Sequence, residues 1–389
     1  MHLRLTALLS LLAVLGGGAF AQEEIRPRQT LYTDRTDDAV EGALRWLAER
    51  QNRNGEAKGS WNAVLGFKIN DGYRADPARQ PAGGLPHLGV TALAGMAFLA
   101  GGHLPGEGPY GDVVEDALEF VLSSVHDDGY ITRNGSRMYS HAFSLLFLAE
   151  VYGMTGNPIL RDRLDRAVEF TYKSQNGLGG WRYAPGAQDC DMSITVCQVV
   201  ALREASNIGV KVPKENIDKA LKYVLDSAVT RQGERGAFLY QHKDVPFNRN
   251  SFALTAAGLT TIYQAGLYSD GDVYRFCMQH DIARVPRISD CLSYLQRTYD
   301  AVLQEYDDHY FYFYGNYYAA QAMYTRGGET WREWYAMVRD HLLERAYTTK
   351  GPRGTETSWR ARHVGDAFST SVAAIILQVP KHYLPIFQR

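Results

Sequence analysis

Cysteine is scarce: Cys190, Cys197, Cys277 and Cys291 are the only four in 389 residues. So few exclude a disulfide-dense scaffold, and no Cys-x-x-Cys pair offers the spacing of a structural zinc site. Cys277 and Cys291 bracket a short stretch containing Pro286, so a single disulfide there stays open. A charge imbalance is also lacking. Lys and Arg total 41 against 43 Asp and Glu, a formal net charge of -2, which provides no electrostatic footprint for nucleic acid or an anionic membrane surface. Beyond the first residues, apolar stretches are broken by Gly or polar side chains, so no membrane-spanning helix is expected. Missing too are a Gly-x-Ser-x-Gly elbow, a His-Glu-x-x-His pair, a phosphate-binding Gly-rich loop and a Gly-Cys-Gly-Glu-Gln thioester stretch. What remains, 45% hydrophobic and 22% charged, is the composition of a globular protein and excludes disorder or collagen-like repeats.

Residues 1–21 have a charged start (His2, Arg4), an apolar run from Leu5 to Leu15 and the ending Ala19-Phe20-Ala21. This pattern predicts a cleavable secretory signal, and the run is too short to span a bilayer. The mature chain is expected to begin near Gln22 and to work outside the cytoplasm, as a periplasmic or secreted protein. Residues 22–389 form the folded domain.

That domain repeats one helical hairpin six times. Amphipathic helices are expected at about 37–51, 112–125, 158–174, 214–229, 289–305 and 330–346. Each is followed by a Gly-containing loop and a smoother helix, at about 87–100, 139–152, 192–207, 250–265, 315–326 and 368–379. Asn157-Pro158 and Pro213 are start signals for two of the first set. In 158–174, Leu160, Leu164, Ala167, Val168 and Phe170 recur at helical spacing, while Asp162, Arg163, Asp165, Arg166 and Glu169 occupy the rest of the surface. The stretches Met192–Leu202 and Phe368–Leu377 carry no charge at all, as helices covered on most sides do. Half-exposed helices alternating with covered ones imply an outer ring around an inner ring. The fold expected is all-α, an (α/α)6 toroid in which 368–379 closes against 37–51 and 87–100.

Three loops share a pattern: Gln51-Asn52 leading to Gly59-Ser60-Trp61, Gln175-Asn176-Gly177-Leu178-Gly179-Gly180-Trp181, and Asp127-Asp128-Gly129-Tyr130. Gly236-Ala237-Phe238 and Thr357-Ser358-Trp359 echo it. The pattern resembles the Gln…Gly-x-Trp repeat of the prenyltransferase/squalene cyclase (terpenoid cyclase) superfamily. Read for structure, the glycine ends the outer helix, the ring packs with its N–H on a partner, and Gln satisfies backbone groups at the next helix start. The resemblance implies the toroid fold and an aromatic-lined central cavity that holds an isoprenoid or other hydrophobic small molecule. If the chain is catalytic, it implies a class II terpene cyclase type of reaction.

Such sites lie at the mouth where inner-helix N-termini converge. By the resemblance, Asp189 and Asp191 are the candidate catalytic residues, in Asp189-Cys190-Asp191-Met192 where the cyclases have Asp-x-Asp-Asp. Asp191 also stands where the N-cap of 192–207 belongs, and Met192 in the fourth place favours that reading. Candidate ligand-binding residues are His141, Trp181, His242, Asp308, His309, Tyr312 and Tyr314, the last four in the tyrosine-rich run from Asp307 to Tyr318. Those rings suit a carbocation, an apolar chain or a sugar, and they also suit a packing seam. Zinc ligation of the prenyltransferase kind lacks its spacing here, and neither a metal nor another cofactor is expected. The chain is too short for the cyclases' second helical domain. Two other classes fit a secreted toroid: a carbohydrate-active enzyme (glycoside hydrolase or polysaccharide lyase), and a non-catalytic protein-binding toroid.

Overall fold

The computed structural model describes residues 31–64, 84–229, 231–242, 249–306 and 309–387. The secretory signal expected at 1–21 and Asp308 lie outside the described residues.

Thirteen helices among the described residues build two concentric layers. In chain order they are α1 (Asp34–Arg50), α2 (Leu88–Ala100), α3 (Gly111–Leu122), α4 (Met138–Thr155), α5 (Ile159–Lys173), α6 (Met192–Asn207), α7 (Lys214–Asp226), α8 (Phe252–Gln264), α9 (Asp270–Gln279), α10 (Ile288–Tyr306), α11 (Tyr310–Arg326), α12 (Gly328–Glu344) and α13 (Asp366–Gln378). The outer helices earn their place by amphipathicity. On α5, Leu160, Leu164, Ala167, Val168 and Thr171 are buried, whereas Arg161, Asp162 and Asp165 face water and pair within the helix. On α1, the Thr33 side chain accepts from Thr36 N while Thr36 Oγ1 reaches back to the Thr33 amide, a capping box that starts the helix.

The inner helices α2, α4, α6, α8, α11 and α13 form a closed ring in that order, with α13 against α2. Every residue of α2 is buried, and so is Met192–Leu202 of α6. Such helices have no polar face because they have no wet one. Their register is parallel. Gly89 and Gly95 of α2 face Ser140 and Phe147 of α4, and Ser193 and Cys197 of α6 meet Tyr314 and Tyr318 of α11. All six N-termini therefore point to one end. Side chains also meet across the interior: Phe143 of α4 and Tyr317 of the opposite helix α11 have ring centroids 6.0 Å apart, and Cys197 Sγ of α6 reaches past α8 to lie 3.0 Å from the Tyr318 hydroxyl.

Ring closure uses polar contacts as well. Gln378 Nε2 donates to Ala97 O at 2.9 Å, and Lys381 pairs with Asp37. Two short antiparallel ladders occur, β1 (Asn62–Ala63) with β2 (Leu85–Pro86) and β3 (Tyr347–Gly351) with β4 (Gly354–Ser358). Strand β4 lies along α1, where Arg45 Nε donates to Thr355 O and Arg50 pairs with the buried Glu356.

The structure adds elements to the expected scheme. The β3–β4 hairpin joins α12 to α13, and α9 is an extra helix between α8 and α10 with its own capping box at Ser269 and Asp272. Helix α11 begins five residues before the expected 315, because His309 Nδ1 accepts from Phe311 N and sets the start there. All four cysteines are free and buried, so Cys277 and Cys291 are not joined.

Candidate active-site mouth

The repeated loops set the geometry of the mouth. In four of them a glycine adopts positive φ: Gly59 (85°), Gly129 (89°), Gly179 (90°) and Gly236 (90°). A Cβ at these positions would lie within 2.5 Å of a backbone oxygen of the next outer helix, at Asp116, Arg166, Lys219 and Asp290 respectively. Only glycine permits that conformation and that approach together. The motif glutamines tie the same seam: Gln51 Nε2 donates to Gly59 O and Val113 O, and Gln175 Nε2 to Gly179 O and Asn216 O.

Two residues after each glycine, a buried residue donates its backbone N–H to a side chain on the first turn of the inner helix, at its fourth residue or, in α13, its fifth. The pairs are Trp61 with Thr91, Trp181 with Thr195, Phe238 with Thr255 and, without the glycine, Trp359 with Thr370. The tryptophan Nε1 groups donate to Leu47 O, Thr171 O and Leu342 O of the outer helices, each at 2.8 Å. In the second unit Ile131, not Tyr130, holds this place, and its N–H goes to His141 Nδ1. His141 is thus the counterpart of the threonines. Its Nε2 donates to Thr171 Oγ1, which itself donates to Ala167 O. Burial pushes the His141 pKa down to about 3, so the ring is neutral. Trp181 and His141 are both interior staples in the structure.

Above this scaffold, extended segments carry polar side chains to the inner-helix N-termini. Tyr183 O accepts from Met138 N of α4, and Tyr240 O accepts from Met192 N of α6. These bonds satisfy helix-start amides and fix Tyr183 and Tyr240 over the ring. At the centre is Asp191, wholly buried. Its Oδ1 accepts from Ile194 N at 3.0 Å, the N-cap bond, and from Ser193 Oγ at 2.5 Å. Its Oδ2 accepts from Arg182 Nη1 at 2.7 Å and Tyr240 OH at 3.2 Å. Arg182 also pairs through Nε with the exposed Asp189 at 3.1 Å.

Tyrosines ring this core. Tyr183 and Tyr240 share a short hydroxyl–hydroxyl contact. Tyr139 OH donates to Ser193 Oγ at 2.7 Å, and Tyr314 OH to Ser193 O at 3.1 Å. Arg182 lies over the Tyr183 ring at 4.7 Å and Arg249 over Tyr240 at 4.5 Å. Burial raises the Tyr240 pKa to about 12 and raises those of Tyr139, Tyr183 and Tyr314 as well, with Asp191 adding to each. The hydroxyls therefore stay protonated. For Asp191 itself, burial raises the pKa, opposed by Ser193, Arg182, Ile194 and Tyr240. Four donors on two oxygens, the Arg182 guanidinium among them, favour the carboxylate, since a carboxyl proton would require Tyr240 to turn and accept.

Of the residues expected at the site, Asp189, Asp191 and Tyr314 come together. His309 caps α11 with its ring 5.0 Å from that of His363, and His242 follows Tyr240 on the same loop, half-buried. Tyr312 is buried away from the mouth, with its hydroxyl 2.8 Å from His341 Nδ1. Arg182, Tyr183, Tyr139, Ser193 and Tyr240 were not anticipated. A usable signal existed: tyrosine stands two residues after the loop aromatic in Trp181-Arg-Tyr183 and Phe238-Leu-Tyr240. Among the described residues no three His, Cys, Asp or Glu side chains form a metal-binding group, and no helix is long and apolar enough to cross a membrane.

No protein-family model matches the chain, and no curated protein matches it in sequence. Solved structures do. The cellobiose 2-epimerase of Spirochaeta thermophila DSM 6192 superposes with a TM-score of 0.57 at 12% identity, covering 92% of this chain and 98% of that one. The α-1,6-mannanase GH76A of Salegentibacter sp. HEL1_6, an inactive variant solved with α-1,6-mannotriose, gives 0.55 at 10% identity, covering 91% and 100%. A type II terpene cyclase from Scytonema gives 0.44 at 14% identity, too low to carry an argument. At these identities the likeness establishes the fold, an α/α toroid.

Proposed function

We propose that the protein is an exported carbohydrate-active toroid that holds a sugar in the tyrosine-lined mouth above Asp191. The observation that carries this reading is the charged network in the mouth: Arg182, shared by Asp191 and Asp189, among the hydroxyls of Tyr139, Tyr183, Tyr240 and Tyr314. A sugar stacks its C–H faces on such rings and exchanges its hydroxyls for water on the guanidinium and carboxylate. An isoprenoid chain would dehydrate the same groups and return no hydrogen bond. The cyclase-type reading needs a proton on Asp191, and the four donors around it oppose that. Two toroids that superpose on this chain bear the names of a mannanase and a cellobiose epimerase, which supports the choice of ligand class. In this reading Asp189, exposed and beside Arg182, is the carboxylate that meets substrate, and Asp191 is a positioning residue that holds Arg182 and Tyr240.

The test is a thermal-shift and calorimetric comparison of linear mannooligosaccharides and cello-oligosaccharides with geranylgeraniol, followed by a reducing-end assay on the sugars that bind. Sugar binding is expected, with Tyr240→Phe weakening it about tenfold, the loss of one hydrogen bond to ligand. Stabilisation by the isoprenoid alcohol, with no response to any sugar, would overturn the reading.

A further inference from the structure

At the end of the ring opposite the mouth, the folded chain leaves a set of buried oxygens without donors. Glu150 of α4 and Glu204 of α6 are both at 0% exposure. They stand at one level, since each follows the N-cap of its helix (Arg137 and Asp191) by the same interval and the inner helices run parallel. Neither oxygen of Glu150 has a hydrogen-bond partner, nor does Oε1 of Glu204; Asn207 Nδ2 donates to Glu204 Oε2 at 3.1 Å. From α11, Tyr317 faces Glu150, and Gln321, one turn further on and 2% exposed, leaves its Oε1 without a partner too. The Gln321 Nε2 is engaged by the Tyr317 carbonyl at 3.4 Å. Beneath lies the C-terminal segment. Its Ile386 N–H lies close enough to Glu150 to favour the charged form, Pro385 lies against Gly153, and Tyr324 packs edge-on with Phe387.

Three unpartnered oxygens of Glu150 and Glu204 thus share this level, and Gln321 Oε1, toward the same end of α11, is a fourth buried oxygen without a partner. The positive charge that acts on Glu204 comes from Arg203, beside it in the chain and outside this set of oxygens. Helices α4 and α6 also end here, adding the negative ends of their dipoles. Burying two carboxyl groups in this state is costly unless something positive joins them. Burial raises the pKa of both carboxyls, and protons shared between them supply at most two donors to four acceptors. A cation serves all four.

We propose that Glu150, Glu204 and Gln321 bind a hard divalent cation, calcium foremost, and that the C-terminal segment seals it in. The donors are all oxygen, their two formal negative charges match the ion, and no imidazole or thiolate is present to favour a softer metal. The site is independent of what the mouth binds.

The experiment uses the full mature chain, first stripped with a chelator at pH 7.5. Metal content is then measured after gel filtration from calcium chloride, and melting is followed with and without about 1 mM of the same salt. About one calcium per chain is expected, with a Tm raised by several degrees. Glu150→Gln and Glu204→Gln, each checked for native circular dichroism, should each weaken calcium binding at least about tenfold and remove most of the Tm response. Should one variant fail to fold, the other still decides. A wild-type chain that holds no calcium and melts unchanged in it overturns the site and leaves the shared protons as the explanation. Full calcium retention in a folded variant also overturns it.

Discussion

Asp191→Asn separates a carboxylate from a protonated acid. Asparagine is nearly isosteric with a protonated aspartic acid, so a wild-type group that carried a proton would tolerate the exchange. The structure argues otherwise. Asn Oδ1 can keep the N-cap bond to Ile194 N and the bond from Ser193 Oγ. Its Nδ2 then occupies the place of Oδ2, facing Arg182 Nη1 at 2.7 Å. A guanidinium has five donors and no acceptor, so donor meets donor. Tyr240 can turn its hydroxyl to accept, but Arg182 must swing away toward Asp189. Removing one partner of a fully buried ion pair costs about 3–5 kcal/mol. The Arg182 side chain is 22% exposed and keeps a second carboxylate, which brings the expectation to about 2 kcal/mol. Asp191→Ala removes the cap as well and should cost about 1 kcal/mol more. Urea unfolding followed by tryptophan fluorescence reads both variants against wild type, with m checked for constancy. An Asn variant as stable as wild type would refute the carboxylate assignment and restore Asp191 as a proton donor.

Gly179→Ala should destabilise by about 3 kcal/mol, from its positive φ and the contact with the Lys219 carbonyl, whereas Gly177→Ala, with open space around it, should be silent in the same unfolding assay. His141, held neutral at a pKa of about 3 against an ordinary 6.5, binds fewer protons folded than unfolded, so stability is lost as pH falls from about 6.5 towards 3. The difference in stability between wild type and His141→Thr, measured from pH 7 down to pH 4, should therefore shift by on the order of 3 kcal/mol in favour of the threonine variant; a pH-independent difference would exclude a buried neutral imidazole. Truncation before Phe368 removes the α13 contacts to α1 and α2 and should give aggregated protein in light scattering, where a soluble chain of unchanged Tm would mean an open solenoid.

The ring was legible because both of its signals are local. Helix periodicity with a charged face marks α5 as outer, and the uncharged run from Met192 to Leu202 marks α6 as inner, whatever lies around them. The Gly-x-Trp loops were legible for a related reason: a glycine required by both φ and contact, and a ring fixed by its own backbone N–H, leave the same trace in each unit. In the second loop the ring expected at Tyr130 is not the staple; Ile131 is, because a staple that needs only a backbone amide tolerates an aliphatic side chain once His141 supplies the acceptor. The β3–β4 hairpin had no such trace. Its strands are short and polar, β3 mostly exposed, and β4 is held by α1, a helix some three hundred residues earlier in the chain.

The mouth was half legible, and the boundary falls between what helix ends require and what the ring brings together. Asp191 could be placed because an N-cap is dictated by the residues immediately after it. Its partners could not, because Arg182 and Tyr240 reach it from loops on either side of α6, and Tyr314 arrives from α11 on the far side of α8. Six parallel inner helices present six N-termini at one end, so any polar residue just before or just inside an inner helix becomes a neighbour of residues a hundred positions away. The same logic governs the opposite end, where Glu150 and Glu204 look in sequence like two unrelated acids near helix C-termini. A toroid turns equal distance from the N-cap into physical proximity. Reading the chain in register from the inner-helix starts, and not along its length, is what brings Asp191, Ser193, Tyr139 and Tyr314 into one site and Glu150 and Glu204 into another.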